Sequence, residues 1–131
     1  MSFCKIILFL FSITVYFNLA AQEAGKPYIK NFSPKAYKGT PQNWAVIQDQ
    51  RGLIYIGNTN QGIYEYDGAS WRHITDNPSE QNTVRSFSID SSGVIYVGAK
   101  ADFGALLPDS RGKLKYTSFK NKLAKKDQDF S

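Results

Sequence analysis

Short apolar runs of about five residues, broken by turn residues, dominate the chain from residue 44 onward. Two of these runs lie in nearly identical phrases: QDQRGLIYIG begins at Gln48 and IDSSGVIYVG begins at Ile89. Aligning Gly52 with Gly93 gives an offset of 41 residues, at which aspartate, isoleucine, tyrosine and glycine recur. A period of about 40–45 residues built from strands is typical of propeller blades. The pattern therefore predicts one structural unit that occurs twice.

Each unit divides into four predicted strands, because glycine-, aspartate- and proline-containing turns separate its apolar runs. The expected strands are Trp44–Asp49, Leu53–Gly57, Gly62–Asp67 and Ser70–Thr75, and then Val84–Asp90, Val94–Gly98, Phe103–Leu107 and Leu114–Phe119. The second strand of each unit is apolar on both sides, as expected of a strand buried on both faces. The fold class is therefore predicted as all-β: two four-stranded antiparallel blades of an incomplete propeller, since a ring needs about 4–8 blades.

The first residues form an apolar leader rather than part of this fold. Lys5 precedes an uncharged run from Ile6 to Phe17, and small residues follow up to Ala21. A basic start, a short apolar run and small residues at a cut site predict a secretory signal peptide. The alternative is an uncleaved anchor, although the run is shorter than the ~20 residues that span a bilayer. Cys4, the only cysteine, lies in this leader, so the mature chain is expected to form no disulfide and no thiolate metal site.

These patterns divide the chain into five segments. They are the signal peptide 1–21, a lead-in 22–43, a first blade 44–83, a second blade 84–124 and the start of a third repeat 125–131. Within the lead-in, Pro27–Phe32 is a candidate for a strand that closes a ring. Because repeat proteins need about three units to bury a continuous core, we expect the chain to be a fragment.

Positive charge concentrates near the C-terminus. The net charge is +5, but eight basic and nine acidic residues nearly cancel between residues 22 and 109, and seven basic residues lie in 110–131. Such a cluster suits phosphates or a membrane surface. Export argues against nucleic acid as a partner, and we expect these lysines and arginines to protect an exposed strand edge.

Few residues offer catalytic chemistry. His73 is the only histidine, and no second histidine or mature cysteine exists to complete a triad or a zinc site. Asp49 and Asp90 recur at the same place in both units and are expected to serve the following turn. Asp102–Gly104 spells a kinase metal-binding tripeptide without its companion motifs. No catalytic residue, cofactor or metal site is predicted, and the chain is not expected to be an enzyme.

Trp44, Trp71 and His73 are the candidate ligand-binding residues. Exposed aromatic rings can stack on sugars, which makes a carbohydrate or another small extracellular ligand the predicted partner. The alternative, which we favour, is that these aromatic residues fill the core between blades, because large aromatic side chains dominate core burial.

The sequence resembles the start of bacterial two-component-regulator propeller proteins of the triple-tyrosine type. The phrases PQNWAVIQD, RGLIYIGN and IYEYDGASW in the first unit and DFGALLPDS in the second carry the resemblance, which covers essentially the whole chain after the leader. It implies a periplasmic sensor propeller, followed in relatives by an immunoglobulin-like domain, a membrane helix and an output module such as a histidine kinase. None of those later parts lies in these 131 residues, so no output activity is implied for any residue here.

The predicted function is therefore that of a ligand-sensing segment of an exported signal-transduction protein. Its expected partners include the remaining blades of the same propeller or a homo-oligomer. One alternative is a truncated secreted propeller enzyme of the lyase or lactonase type, which would need a polar cluster at the ring centre. Another is a stand-alone interaction stub, which predicts a stable and soluble oligomer.

Overall fold

The computed structural model describes residues 25, 28–74 and 82–129. The predicted signal peptide and Pro27 lie outside this part of the chain, and within it no helix is long and apolar enough to cross a bilayer. The described chain forms a short unit that ends at Asn31 and a larger unit that begins at Phe32. Residues 28–31 are exposed and belong to no strand within the described ranges, so a ring-closing role for this segment stays a prediction.

Two four-stranded antiparallel sheets make up the larger unit, and in each sheet the strands lie side by side in chain order. The first sheet contains β1 (Asn43–Gln48), β2 (Ile54–Asn58), β3 (Gly62–Tyr66) and β4 (Trp71–His73), and the second contains β5 (Val84–Ile89), β6 (Ile95–Ala99), β7 (Phe103–Pro108) and β8 (Leu114–Ser118). The predicted all-β fold of two blade-like repeats is thereby confirmed. Thr75, the last residue of the predicted fourth strand, lies outside the described residues.

The turn that opens each second strand has the same geometry in both sheets. Gly52 and Gly93 both have a φ of +86°, a region that glycine enters without steric cost. The Asp49 carboxylate accepts hydrogen bonds from the backbone N–H groups of Arg51 and Leu53, and Asp90 repeats the arrangement. The predicted role of both aspartates in the turn is confirmed.

An apolar core lies between the two sheets. Tyr55 and Ile63 extend from the first sheet and meet Ile95, Val97 and Leu106 of the second, all of them buried. Burial of this apolar surface is the main force that holds the sheets together, at roughly 25 cal/mol per Å².

Two features bring the sheets into close contact around this core. A Cβ atom on Gly57 would lie 2.6 Å from Cγ1 of Val84, so only glycine allows β5 to approach β2 this closely. At another point, Nη1 of Arg72 donates a hydrogen bond of 3.2 Å to the carbonyl oxygen of Leu114 in the second sheet.

The outer faces of the two sheets differ, and here one prediction is wrong. Strand β2 is buried on both sides, as expected, with Tyr55 fully buried and Ile56 only 9% exposed. Strand β6 is not, because Tyr96 on its outer side is 42% exposed. The reason is that a helix and a group of aromatic rings cover the outer face of the first sheet.

That helix, α1 (Pro34–Tyr37), was not indicated by the apolar pattern, since four residues show no helical period. Pro34 suits the first turn because its ring fixes a helical φ. The helix ends at Lys38, whose φ of 60° is left-handed and whose N–H donates to the Pro34 carbonyl oxygen. Near the C-terminus, Lys120–Lys122 and Lys125–Asp127 form 3₁₀ turns, so residues 125–127, at the expected start of a third repeat, are not a strand.

Candidate functional site

An aromatic cleft lies on the outer face of the first sheet, between α1 and strands β3 and β4. Its volume is about 350 Å³, within the lower range of small-molecule sites. The lining residues are mostly aromatic with a few polar groups: Ala36, Tyr37, Lys38, Gln61, Tyr64, Trp71 and His73.

The pairing of β3 with β4 places these rings on one face. Tyr64 lies opposite His73, and Tyr66 lies opposite Trp71. Side chains two residues apart in a strand point to the same side of a sheet, so the alternation in both strands assembles four rings together. Trp71 and His73, two of the residues predicted from the sequence, are therefore brought into one site.

Contacts between the rings define the walls of the cleft. The rings of Tyr64 and His73 are stacked, with centroids 4.5 Å apart and planes at 22°. Tyr37 meets Tyr64 edge-on at 5.4 Å and lies at the same distance from Trp71. Nε2 of His73 contacts the carbonyl oxygen of Gln61.

The Trp71 ring packs among other aromatic rings, and one of its polar atoms lacks a hydrogen-bond partner among the described residues. Its ring contacts Phe32 at 5.3 Å and Tyr66 at 4.8 Å between centroids. These contacts pack Trp71 on the outer face of the first sheet, so the prediction that it fills the core between the blades is wrong. The indole nitrogen Nε1 of Trp71 is buried, and the described part of the chain supplies it with no hydrogen-bond acceptor. A buried indole N–H normally has a partner, so this donor is an exception among the buried polar groups of the described chain.

Asn58 fixes the position of the helical wall of the cleft, and sequence reasoning missed it. Its side chain is fully buried, accepts hydrogen bonds from the N–H and hydroxyl groups of Thr40, and donates to the carbonyl oxygens of Thr40 and Gln42. This network holds the chain that leaves α1 against β2. An amide directly after the apolar strand was the one signal that could have indicated it.

Two tyrosine hydroxyl groups extend the same network into the cleft. The Tyr37 hydroxyl donates to the Thr40 carbonyl oxygen at 3.0 Å, and the Tyr64 hydroxyl donates to the Lys38 carbonyl oxygen at 3.1 Å. Burial, followed by the proximity of Tyr37, raises the pKa of Tyr64 above its ordinary value. Tyr64 is therefore a neutral hydrogen-bonding group in the neutral pH range.

Trp44, the third predicted residue, lies apart from the cleft. It sits on β1, at the opposite edge of the sheet from β4, and is 52% exposed. Its indole nitrogen donates to the hydroxyl of Thr59 at 2.9 Å, and the guanidinium group of Arg85 lies 5.7 Å from its ring centroid. Trp44 and Trp71 therefore lie at opposite edges of the first sheet.

The repeated aspartates are anchored within their turns. The Asp49 carboxylate forms an ion pair of 2.7 Å with Arg51 and accepts a hydrogen bond from the Tyr55 hydroxyl. Burial raises the pKa of Asp49, but the hydrogen bonds from Arg51, Leu53 and Tyr55 outweigh it and leave this pKa below its usual value. A hydrogen bond from the Ser92 hydroxyl is the main cause of the lowered pKa of Asp90.

The basic C-terminal part contributes to a second, smaller groove of about 200 Å³ beside β4 and β8. Lys113 and Lys115 are exposed there, and β8 is an edge strand of the described sheet, as the sequence predicted for these charges. Asp102 caps the neighbouring loop, since it accepts hydrogen bonds from the N–H of Phe103 and the hydroxyl of Ser118. No group of three metal-binding side chains occurs within the described ranges.

Comparison of the chain with known proteins gives no further identification. No protein-family model matches it, no curated protein matches it, and no solved structure matches it. Functional inference therefore depends on the residues of the cleft and on the sequence phrases described above.

Proposed function

We propose that this chain is a ligand-sensing segment of an exported bacterial signal-transduction protein of the two-component-regulator propeller type. In this proposal the segment acts in the periplasm, binds rather than transforms its ligand, and leaves the output to other parts of the signalling protein. The observation that carries it is the aromatic cleft of the first sheet. The resemblance of the repeat phrases to sensor propellers supports the same conclusion.

The chemistry of the cleft favours a carbohydrate. The exposed parts of the half-buried rings of Trp71 and His73 present a surface for the apolar face of a sugar ring. Gln61 and Lys38 also line the cleft, and the polar groups of such residues could bond to sugar hydroxyl groups. A small number of placed polar groups in an aromatic pocket is the usual design of a small-molecule site.

Tryptophan fluorescence tests this proposal, because the chain contains only two tryptophans. In Trp44→Phe the only remaining indole is in the cleft, and in Trp71→Phe the only remaining indole is at the opposite edge. Titration with a panel of neutral and acidic oligosaccharides should change the emission of Trp44→Phe and leave that of Trp71→Phe unchanged. Calorimetry should show that Trp44→Phe binds the same sugar with the affinity of the unsubstituted chain.

Two further observations would decide the proposal. Replacing His73 with alanine removes the stacked ring and should weaken sugar binding by about tenfold, or ~1.4 kcal/mol. Undiminished binding would contradict the assignment of the cleft.

The coding sequence after Ser131 provides a test of the sensor role. Further units of about 41 residues, a membrane helix and a kinase or regulator would support that role, whereas a soluble ring with clustered histidine and acidic residues would overturn it.

A further inference from the structure

The turn between β2 and β3 forms one wall of the aromatic cleft, and its contacts extend beyond the first sheet. Gln61 in this turn lines the cleft, and its carbonyl oxygen contacts Nε2 of His73. The preceding residue, Asn60, has a left-handed φ of 58°. Residues other than glycine need support from their surroundings in this conformation, so the contacts of Asn60 show what holds the wall in place.

Thr83, on the segment that leads into β5, provides this support. Its hydroxyl accepts a hydrogen bond of 3.2 Å from the N–H of Asn60 and donates one of 3.1 Å to Oδ1 of the same residue. Thr83 is only 7% exposed, and burial strengthens hydrogen bonds by lowering the local dielectric constant. Next to Thr83, the carbonyl oxygen of Asn82 accepts a hydrogen bond of 3.1 Å from the N–H of Gly62. The segment that enters β5 therefore holds the turn at both Asn60 and Gly62.

The same segment is also bonded to the second sheet. The carbonyl oxygen of Thr83 accepts a hydrogen bond of 2.9 Å from the N–H of Lys100, which lies in the loop between β6 and β7. Lys100 is not among the residues that line the aromatic cleft. The hydroxyl of Thr83 thus bonds to the first sheet and its carbonyl oxygen to the second. A single residue connects the wall of the cleft with a loop of the other sheet.

We infer that Thr83 is a positioning residue that holds the Gln61 wall of the cleft and couples this wall to the β6–β7 loop. A ligand can contact Gln61 and His73 together only while the turn is held, and opening of the turn separates Asn60 from Thr83. A ligand that stabilises the held turn therefore also stabilises the hydrogen bond of Lys100, and the coupling is reciprocal. The use of this connection in sensing rests on the proposed function, whereas the connection itself needs no ligand.

A double-mutant cycle without ligand tests the connection. His73→Ala removes the contact with the Gln61 carbonyl oxygen, and Thr83→Val replaces the hydroxyl with a methyl group of similar size. Hydrogen exchange of the Lys100 amide, followed by NMR, should accelerate about fivefold in either variant. Adding His73→Ala to Thr83→Val should have no further effect, because the two residues act through one chain of contacts. Amides in the centre of β6 measure global stability, against which the Lys100 rate is compared.

Two further variants serve as controls for the loss of the hydroxyl. Thr83→Ser keeps the hydroxyl group and its bonds to Asn60, so the response of the Lys100 amide to His73→Ala should be preserved. Asn60→Gly keeps the left-handed turn, because glycine enters this region freely, but it removes the Oδ1 acceptor. This variant should reduce the response without abolishing it, since the N–H of residue 60 still donates to Thr83.

An arm with sugar links the connection to sensing. The probe is the member of the oligosaccharide panel that changes the emission of Trp44→Phe. Saturation with this sugar should slow exchange of the Lys100 amide about fivefold in the unsubstituted chain and in Thr83→Ser, but not in Thr83→Val. Because the coupling is reciprocal, Thr83→Val should also bind the sugar about fivefold more weakly than Thr83→Ser.

The outcomes separate this inference from the proposed function. Additive effects of His73→Ala and Thr83→Val on the Lys100 amide would overturn the inference and leave Thr83 with a purely structural role. A Lys100 amide that does not respond to His73→Ala in a folded chain would also overturn it. If no sugar binds, the proposed function fails, and the cycle without ligand still decides the connection. If a sugar binds and the Lys100 rate stays unchanged, the proposed function stands and the inference fails.

Discussion

Tyr55 and Tyr96 occupy the same place in two copies of one repeat, yet the first is fully buried and the second is 42% exposed. Both follow a glycine turn with the same φ and both donate to an aspartate six residues earlier. The local structure is therefore alike, and the difference arises only from what packs on each sheet. The comparison teaches that the repeat encodes the strand and the turn, whereas burial depends on the neighbouring sheet.

The repeat position occupied by Asn58 gives a second contrast. Asn58 in the first sheet is a fully buried hydrogen-bonding centre that positions the chain after α1. Its counterpart in the second sheet is Ala99, which packs against the core between the sheets. The same face of the repeat is thus covered by α1 and its aromatic residues in the first sheet and by the first sheet itself in the second, so the aromatic cleft belongs to the first sheet.

Replacing the two tyrosines with alanine should give the largest difference between the sheets. Tyr55→Ala leaves a large cavity between the sheets and should lower the free energy of unfolding by about 3–5 kcal/mol. Tyr96→Ala removes a half-exposed ring and should cost about 1 kcal/mol or less. Urea unfolding measures both values. Equal losses would show that Tyr96 is buried in solution and would break the comparison.

Replacing Asn58 with alanine should have a smaller effect, but one that is localised to the cleft. The change leaves buried N–H and carbonyl groups around Thr40 without hydrogen-bond partners. This should lower the free energy of unfolding by about 1–3 kcal/mol. Hydrogen exchange should accelerate in residues 34–43 and stay unchanged in β5–β8. Gln50→Ala, at an exposed turn position, is the control and should change neither. Unaltered exchange in residues 34–43 would contradict the role given to Asn58.

The smallest expected effect is on the loss of stability at acidic pH. The folded-state pKa values of Asp49 and Asp90 lie below the ordinary value of 3.8, so the stabilisation by each carboxylate is present above that pH. It is lost as the pH falls from there through the folded-state pKa, because the unfolded chain binds protons first. Unfolding measured from pH 7 to pH 2 should show a weaker acid dependence in Asp49→Asn and, to a lesser extent, in Asp90→Asn.

The relative size of the effects of Asp49→Asn and Asp90→Asn provides a further comparison of the two sheets. Asp49 accepts hydrogen bonds from Arg51 and from the buried Tyr55 as well as from its turn, whereas the partners of Asp90 are exposed. Solvent screens exposed charge interactions, so Asp49→Asn should remove more of the acid dependence. The reverse order would mean that the second turn is the better protected.

Part of the cleft could be predicted from the sequence, and part could not. Trp71 and His73 stand two residues apart in a predicted strand, so their shared face follows from strand geometry. Tyr37 and Lys38 could not be placed, because a four-residue helix has no detectable period and its position depends on a hydrogen-bond network centred on Asn58. The position of Trp44 depends on strand order, since β1 and β4 are opposite edges of the sheet.

The sequence by itself determined the repeat, the eight strands to within two residues, and the glycine turns with their aspartates. Those features depend on interactions between residues close along the chain, so a short pattern is enough to specify them. Only the tertiary structure decided that α1 covers the first sheet, that Tyr96 remains open on the second, and that Trp71 lies in a cleft while Trp44 does not. These outcomes depend on contacts between segments far apart along the chain, and the same local phrase, IYIG or IYVG, is compatible with both a buried and an exposed tyrosine.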